Sequence, residues 1–261
     1  MVVRRSIAVR FACLVGIVLA IACVNPACSQ GKGDGNVVGT LNVPNCWTGS
    51  FNLHPDFFAA DPAGASILIR IQNGSDFQTF SDGVSILIHD TAKIRPQSDF
   101  AGAYGEPLEV DVPPEVTAPG VPVTANPNPA NVSMTLYLQR TCTTQNVTLQ
   151  ALKEVTITAD GTCDAPSLAG ADPTAGCDPD KDSPAGVGTG KSLAAFTHVF
   201  NGNLEETNAA ERLTAGCFDV YFADPREGAA GGLGPPPPCR GHIKGTFNFF
   251  FERGRPSQPF P

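Results

Sequence analysis

Charge is scarce in this chain: Asp, Glu, Lys and Arg together make up 16% of its 261 residues, beside one Trp, two Met and three Tyr. So little charge excludes a coiled coil or a helical bundle with solvated faces. The formal net charge of −8 excludes nucleic acid as a partner, because nothing on such a surface offsets repulsion from the phosphates. No apolar run reaches the about 20 residues of a membrane-spanning helix. There is no His-x-His or His-Glu-x-x-His spacing to build a local zinc or copper site, and no Gly-x-Ser-x-Gly elbow to present a serine nucleophile. What the chain has instead is 27 Gly, 24 Pro and 16 Phe, set among runs of Val, Ile and Thr. Such residues favour strands and turns. The expected fold class is all-β: an antiparallel β-sandwich, or a soluble barrel, with long Pro/Gly-rich loops and disulfides.

The amino-terminal segment is organised differently. Arg4, Arg5 and Arg10 stand without an acid, Phe11 to Ala22 is apolar, and the run closes on Ala20-Ile21-Ala22-Cys23. A basic start, a short apolar stretch and small residues at a break are the parts of a secretory signal. This segment resembles the precursors of bacterial lipoproteins, whose lipobox sets aliphatic and small residues before the cysteine that receives the lipid. The resemblance covers residues 1–23 only. It implies that residues 1–22 are a signal peptide and that Cys23 becomes a lipidated amino end. Buried acyl chains contribute about 0.8 kcal/mol per methylene, so two or three of them anchor a protein durably. The implied partner is the membrane, and Val24, where inner-membrane lipoproteins carry Asp, implies the outer one. Alternatives are Cys28, preceded by Pro26-Ala27, and a plain secretory peptide cleaved near Ala27 or Ser29. Loss of three arginines with the signal leaves the body more acidic, so the fatty chains and not surface charge would hold it.

Export permits oxidation, and no two cysteines have the Cys-x-x-Cys spacing of a zinc or redox site. Six body cysteines, Cys46, Cys142, Cys163, Cys177, Cys217 and Cys239, are therefore disulfide candidates. They allow fifteen pairings. The expected ones are Cys163 with Cys177 and Cys217 with Cys239, each flanking one Gly/Pro-rich excursion, and Cys46 with Cys142.

Residues 23–36 form a lipidated amino end and a flexible tether, 37–252 a single β domain, and 253–261 an extended tail. Period-two alternation marks half-buried strands at Ala65 to Gln72, with Ile67, Ile69 and Ile71 on one face, and at Val84 to His89. Val38 to Val43, Cys46 to Leu53, Leu108 to Val112, Ser192 to Phe200, Cys217 to Phe222 and Arg240 to Glu252 are further strands. Val132 to Cys142 and Val147 to Thr158 read as the longest antiparallel pair, with a bulge before Val155. Ala159 to Lys191 lacks periodicity and reads as one long loop. Phe57-Phe58 and Phe77 to Phe80 read as loop aromatics that plug the ends of the sandwich.

Candidate chemistry is thin. Ala185 to Ser192 fits a relaxed phosphate-loop pattern, but the preceding residues cannot form the buried strand that such a loop follows, so no nucleotide is expected. Asp178, Asp180 and Asp182 alternate as calcium ligands do, without the Gly and Glu that complete an EF-hand loop; calcium is the one cofactor they suggest. His54, His89, His198 and His242 are dispersed, and His89-Asp90 stands at a strand end. No catalytic residue is assigned. The expectation is a cell-envelope lipoprotein whose β-sandwich is a non-catalytic structural or binding module, with an envelope protein or a glycan as partner. The alternatives are an exported hydrolase with a site assembled from dispersed residues and a calcium-stabilised carbohydrate-binding module.

Overall fold

The computed structural model describes residues 33–74, 81–94, 108–111, 130–156, 163, 189–200, 212–227 and 237–250. All of them belong to one compact unit, Gly31–Pro261. Thirteen strands make up the described chain: β1 (Gly33–Val43), β2 (Trp47–Leu53), β3 (Phe57–Ala63), β4 (Ser66–Gln72), β5 (Asp82–Ile88), β6 (Leu108–Asp111), β7 (Val132–Leu138), β8 (Thr148–Leu152), β9 (Glu154–Thr156), β10 (Thr189–Lys191), β11 (Leu193–His198), β12 (Leu213–Ala223) and β13 (Cys239–Phe250). The all-β expectation holds.

Eleven strands form one sheet, in the order β2-β1-β13-β12-β11-β6-β7-β5-β4-β3, with β8 paired to both β12 and β7. Following the pairings from β12 through β11, β6, β7 and β8 back to β12 closes a ring of five strands. The rest of the sheet extends from this ring as two wings, so the fold combines a small closed barrel with sandwich-like flaps. Pairing is antiparallel except between β6 and β7, which run parallel.

The wings close on each other through their apolar faces. Ile67, Ile69 and Ile71 of β4, Val84, Ile86 and Ile88 of β5, and Met134, Leu136 and Leu138 of β7 meet Val37, Leu41, Phe51, Phe218, Val220, Ile243 and Phe249 in one buried core. Fully burying such a side chain contributes about 1.5–3 kcal/mol, so this cluster is the main source of stability. Phe58 stacks on Phe249 with ring centroids 5.9 Å apart. It also occupies the space above Gly33 and Gly35, where an added Cβ would come within 2.5 Å and 2.9 Å of its ring. The far end of β1 is pinned by the Cys46–Cys142 disulfide, which joins the β1–β2 turn to the turn after β7.

Five local expectations need correction. The glycine-rich stretch Gly33 to Asn36 is not tether but the first third of β1, registered against Thr246 to Phe249. Phe57 and Phe58 are not loop aromatics: they open the edge strand β3, both buried, with Asp61 and Pro62 further along. Phe77 to Phe80 lie outside the described residues. The longest pair is β12 with β13, whereas β7 and β8 match over only three positions. In place of a bulge before Val155, the chain leaves the main sheet at Lys153, and β9 pairs with β10 as a separate two-stranded sheet. The stretch read as a loop to Lys191 thus ends in a strand.

Candidate functional site

Strand β12 alternates strictly. Phe218, Val220 and Phe222 point into the main core, which sends Asp219 and Tyr221 to the opposite face. On β13 the same parity sends Ile243 inward and His242 and Lys244 outward. The register sets Tyr221 opposite His242 and Asp219 opposite Lys244. Cross-strand neighbours at this spacing touch directly, and diagonal ones are within reach of long side chains. Tyr221 and His242 accordingly stack, with ring centroids 4.3 Å apart and planes 8° from parallel. His242 Nε2 reaches diagonally to hydrogen-bond Asp219 Oδ1, and Lys244 Nζ stands 3.8 Å from Asp219 Oδ2. A carboxylate only accepts, so Nε2 carries the hydrogen.

An outer sheet face ordinarily meets solvent, yet Tyr221 is fully buried and Asp219 is 2% exposed. The cover is the β9–β10 pair. Val155 of β9, Cys163 and Tyr221 form a second apolar cluster, joined by Leu152 and Cys239. Gly190 of β10 lies flat against the tyrosine: a Cβ at that position would stand 2.7 Å from the Tyr221 ring. Only glycine permits this approach. The Cys163–Cys239 disulfide clamps the same region to the start of β13.

Ser192, between β10 and β11, joins this cover to the ring beneath. Its Oγ donates to Leu152 O at 2.5 Å and accepts from Tyr221 N at 3.0 Å. Leu152 and Tyr221 are register partners, so the hydroxyl is inserted between two facing strands. Its backbone N–H donates to Lys153 O, and its carbonyl accepts from Val110 N. Glu109 accepts ion pairs from Lys153 at 2.9 Å and Lys191 at 3.7 Å. The hydrogen bond from Lys153, more than any other contact, holds the Glu109 carboxyl below its usual range. Lys191 and Ser192, the last two residues of the phosphate-loop pattern, are thus occupied in holding a β-strand in place, and no helix begins there.

Other titratable groups are tied to local structure. Asp82 accepts from the backbone N–H groups of Arg140 and Thr141 and from the Thr141 hydroxyl, closing the turn after β7. Burial alone would raise the Asp224 carboxyl, but hydrogen bonds and charge from Arg226 carry it below its ordinary value. His89, singled out in the sequence, has its Nε2 3.2 Å from Ser133 Oγ, and burial lowers its pKa. Its neighbour Asp90 uses its carboxylate on the Ala92 N–H. Ser133 is 2% exposed, and His89 beside it is half-buried.

The structure brings Cys46 and Cys142 together, as expected from the sequence, and corrects the other two pairings. Cys239 bonds to Cys163, so neither Cys163 with Cys177 nor Cys217 with Cys239 exists. The reason is register. Cys217 lies opposite Thr246, whereas Cys239 lies opposite Ala223. That separates them by about 20 Å along the strands, against the roughly 7 Å limit for a bridge. Cys217 is itself disulfide-bonded, to a partner outside the described residues. Cys177, Cys23 and the acidic positions Asp178, Asp180 and Asp182 also lie outside them. Among the described residues, no three His, Cys, Asp or Glu side chains converge as a metal site would require.

The Asp219–His242 pair escaped the sequence reading because its members are 23 positions apart and belong to separate strands. The available signal was the pattern Cys217, Asp219, Tyr221 alternating with Phe218, Val220 and Phe222, which places polar groups on a strand too apolar to be an ordinary surface strand. Chemically, the arrangement orients an imidazole with a carboxylate beneath a disulfide-clamped cover. In this state its effect is to tie β12 to β13. Compared with protein-family models, curated proteins and solved structures, the chain gives no match.

Proposed function

We propose that this chain is an exported cell-envelope protein, held to the outer membrane by lipid on Cys23, whose β body acts as a structural or binding module with an envelope protein or glycan as partner. The observation that carries this reading is the oxidation of the body. Cys46, Cys142, Cys163, Cys217 and Cys239, all the cysteines among the described residues, are disulfide-bonded. Such bonds persist outside the reducing cytosol. They join segments 96 and 76 residues apart, which suits a chain that must keep its shape where it cannot be refolded. The lipobox-like Ala20-Ile21-Ala22-Cys23 supports the anchor. The buried ionisable groups support a body built for rigidity, since Asp82 and Asp219 each fasten neighbouring segments.

The test is expression of the wild-type precursor and a Cys23→Ala variant with labelled fatty acid, followed by membrane fractionation. The reading predicts label and membrane retention for the wild type and loss of both for the variant. Label on the variant, or unlabelled wild-type protein in the soluble fraction, overturns the anchor. Capture of the bound partner by crosslinking in the intact envelope then separates a structural role from glycan binding.

A further inference from the structure

The β9–β10 pair is fastened to the body differently at its two ends. At its root Glu154 and Lys191 are register partners, the Ser192 N–H donates to Lys153 O, and Lys153 and Lys191 both pair with Glu109 of β6. At its other end Thr156 pairs with Thr189. Among the described residues, what holds that end down is the contact of Val155 and Gly190 with Tyr221 and the Cys163–Cys239 bridge. Two strands of three residues each are too small to keep a conformation alone.

The bridge reaches the covered face because β13 is irregular at this point. Gly241 lies opposite Phe222 and Cys239 opposite Ala223, so Arg240 is an extra residue in the strand. In an unbroken strand Cys239 would share the parity of Gly241 and Ile243 and face the main core. The bulge turns it to the side that carries Tyr221 and His242, where it packs against the Val155–Cys163–Tyr221 cluster.

The two bridges answer reduction differently. Cys46 and Cys142 sit in turns flanked by strands that the main core holds in place, so their separated thiols stay adjacent and the bridge re-forms. Cys163 belongs to no strand of the main sheet, and its described neighbours are the cover and Tyr221. Once its bridge opens, the cover and the body separate, the effective concentration of one thiol at the other falls, and the open state persists.

We infer that the Cys163–Cys239 bridge is a redox latch: it holds the β9–β10 pair closed over Tyr221, His242 and Asp219, and its reduction by a dithiol frees the pair as a flap hinged at Lys153 and Ser192. A thiolate of the dithiol attacks the sulfur of Cys239, which is partly exposed, and expels the sulfur of Cys163, which is 2% exposed. The second thiol of the reductant then closes it into its own disulfide and releases Cys239. Two electrons and two protons pass to the protein, leaving two thiols. The flap uncovers a stacked tyrosine and imidazole with a carboxylate on the imidazole, a face that the oxidised protein withholds from any partner. This device stands apart from the anchor at Cys23.

The test compares the oxidised full chain with a Cys163→Ser, Cys239→Ser variant in which the Cys46–Cys142 bridge and the bridge of Cys217 are verified by non-reduced peptide mapping. Amide exchange and diethylpyrocarbonate labelling are read on both, and on the wild type at graded dithiothreitol. His54 and His198, both exposed, calibrate the reagent. His242, 6% exposed, is expected to be protected in the oxidised protein. In the variant, exchange in β9 and β10 should rise by about tenfold or more while β4 and β5 are unchanged, and His242 should be labelled. In the wild type both signals should appear at less dithiothreitol than opens Cys46–Cys142, and both should reverse on reoxidation. Should the variant not fold, the graded reduction decides by the same two readouts. A cover and a His242 as protected with the bridge open as with it closed overturn the inference, since the cover then holds without its latch. Exchange that rises equally in β4 and β5 when Cys163–Cys239 is reduced in the wild type overturns it too, because the bridge then supports the whole body. So does a Cys46–Cys142 bridge that opens first.

Discussion

Replacing Ser192 by alanine removes a single oxygen, and the structure assigns that oxygen two buried bonds. Ser192 is fully buried, and its hydroxyl lies between Leu152 O and Tyr221 N, on strands that face each other at this register. Alanine leaves a carbonyl and an amide facing a gap that neither can close without moving its strand. A buried group deprived of its partner costs about 1–3 kcal/mol, so the two together, after partial relaxation, give a loss of about 2–4 kcal/mol. The backbone bonds of residue 192 to Lys153 and Val110 are unaffected, so the protein is expected to fold. Thr197→Ala serves as the comparison. It lies on β11, and its hydroxyl makes one partly buried bond to Ala215 O at 3.2 Å, whose loss should cost about 0.5–1.5 kcal/mol. Urea unfolding of the oxidised proteins, followed through Trp47, measures both. With a slope of about 2–3 kcal/mol per molar, Ser192→Ala should lower the midpoint by about 1 M. A Ser192→Ala midpoint equal to that of wild type, or a loss no larger than that of Thr197→Ala, would refute the claim that this hydroxyl bridges the ring.

Three other outcomes follow from the same geometry. Asp219→Ala leaves His242 and Lys244 without their carboxylate on a buried face and should cost about 3–5 kcal/mol by the same urea assay, whereas Lys244→Met should cost much less. Gly190→Ala drives a methyl group into the Tyr221 ring and should speed amide exchange in β9 and β10 while leaving β4 and β5 protected; uniform exchange would contradict a separate cover. Acidification should lower the urea midpoint in two stages. Burial lowers the His89 pKa, so the unfolded chain takes up that proton first and stability falls as pH drops below the ordinary 6.5. Asp224 and Glu109 are held below their ordinary values of 3.8 and 4.5, so their contribution is complete above that range and is lost as pH falls through the lower folded-state values. Glu109 is largely exposed and adds little. His89→Gln should abolish the first stage alone, and a midpoint flat from pH 7 to 5 in the wild type would contradict it.

The core was legible where burial follows the strand period. Ile67, Ile69 and Ile71, with Val84, Ile86 and Ile88, are inward-facing as the alternation requires. What escaped were segments whose composition reflects a neighbour and not the strand itself. Gly33 and Gly35 read as flexible spacer, but they are small because the Phe58 ring fills the space above them. Strand β3 contains Pro62 and Asp61, which suggest a loop; an edge strand tolerates both, because one side of its backbone needs no partner. The candidate site was hidden for a related reason. Alternation separates Asp219 and Tyr221 from the core face, but it cannot show that β10, three residues at the end of an aperiodic stretch, returns to cover them. The disulfides obeyed register and not nearness in sequence, which is why Cys239 found Cys163.

Native protein purified from the envelope, analysed by intact mass and by non-reduced peptide mapping, tests the central claim most directly. The account predicts an amino end at Cys23 carrying diacylglycerol, Cys46 bridged to Cys142, Cys163 bridged to Cys239, and Cys217 oxidised in a third bridge. An amino end without lipid, or free thiols at these five positions, would contradict it.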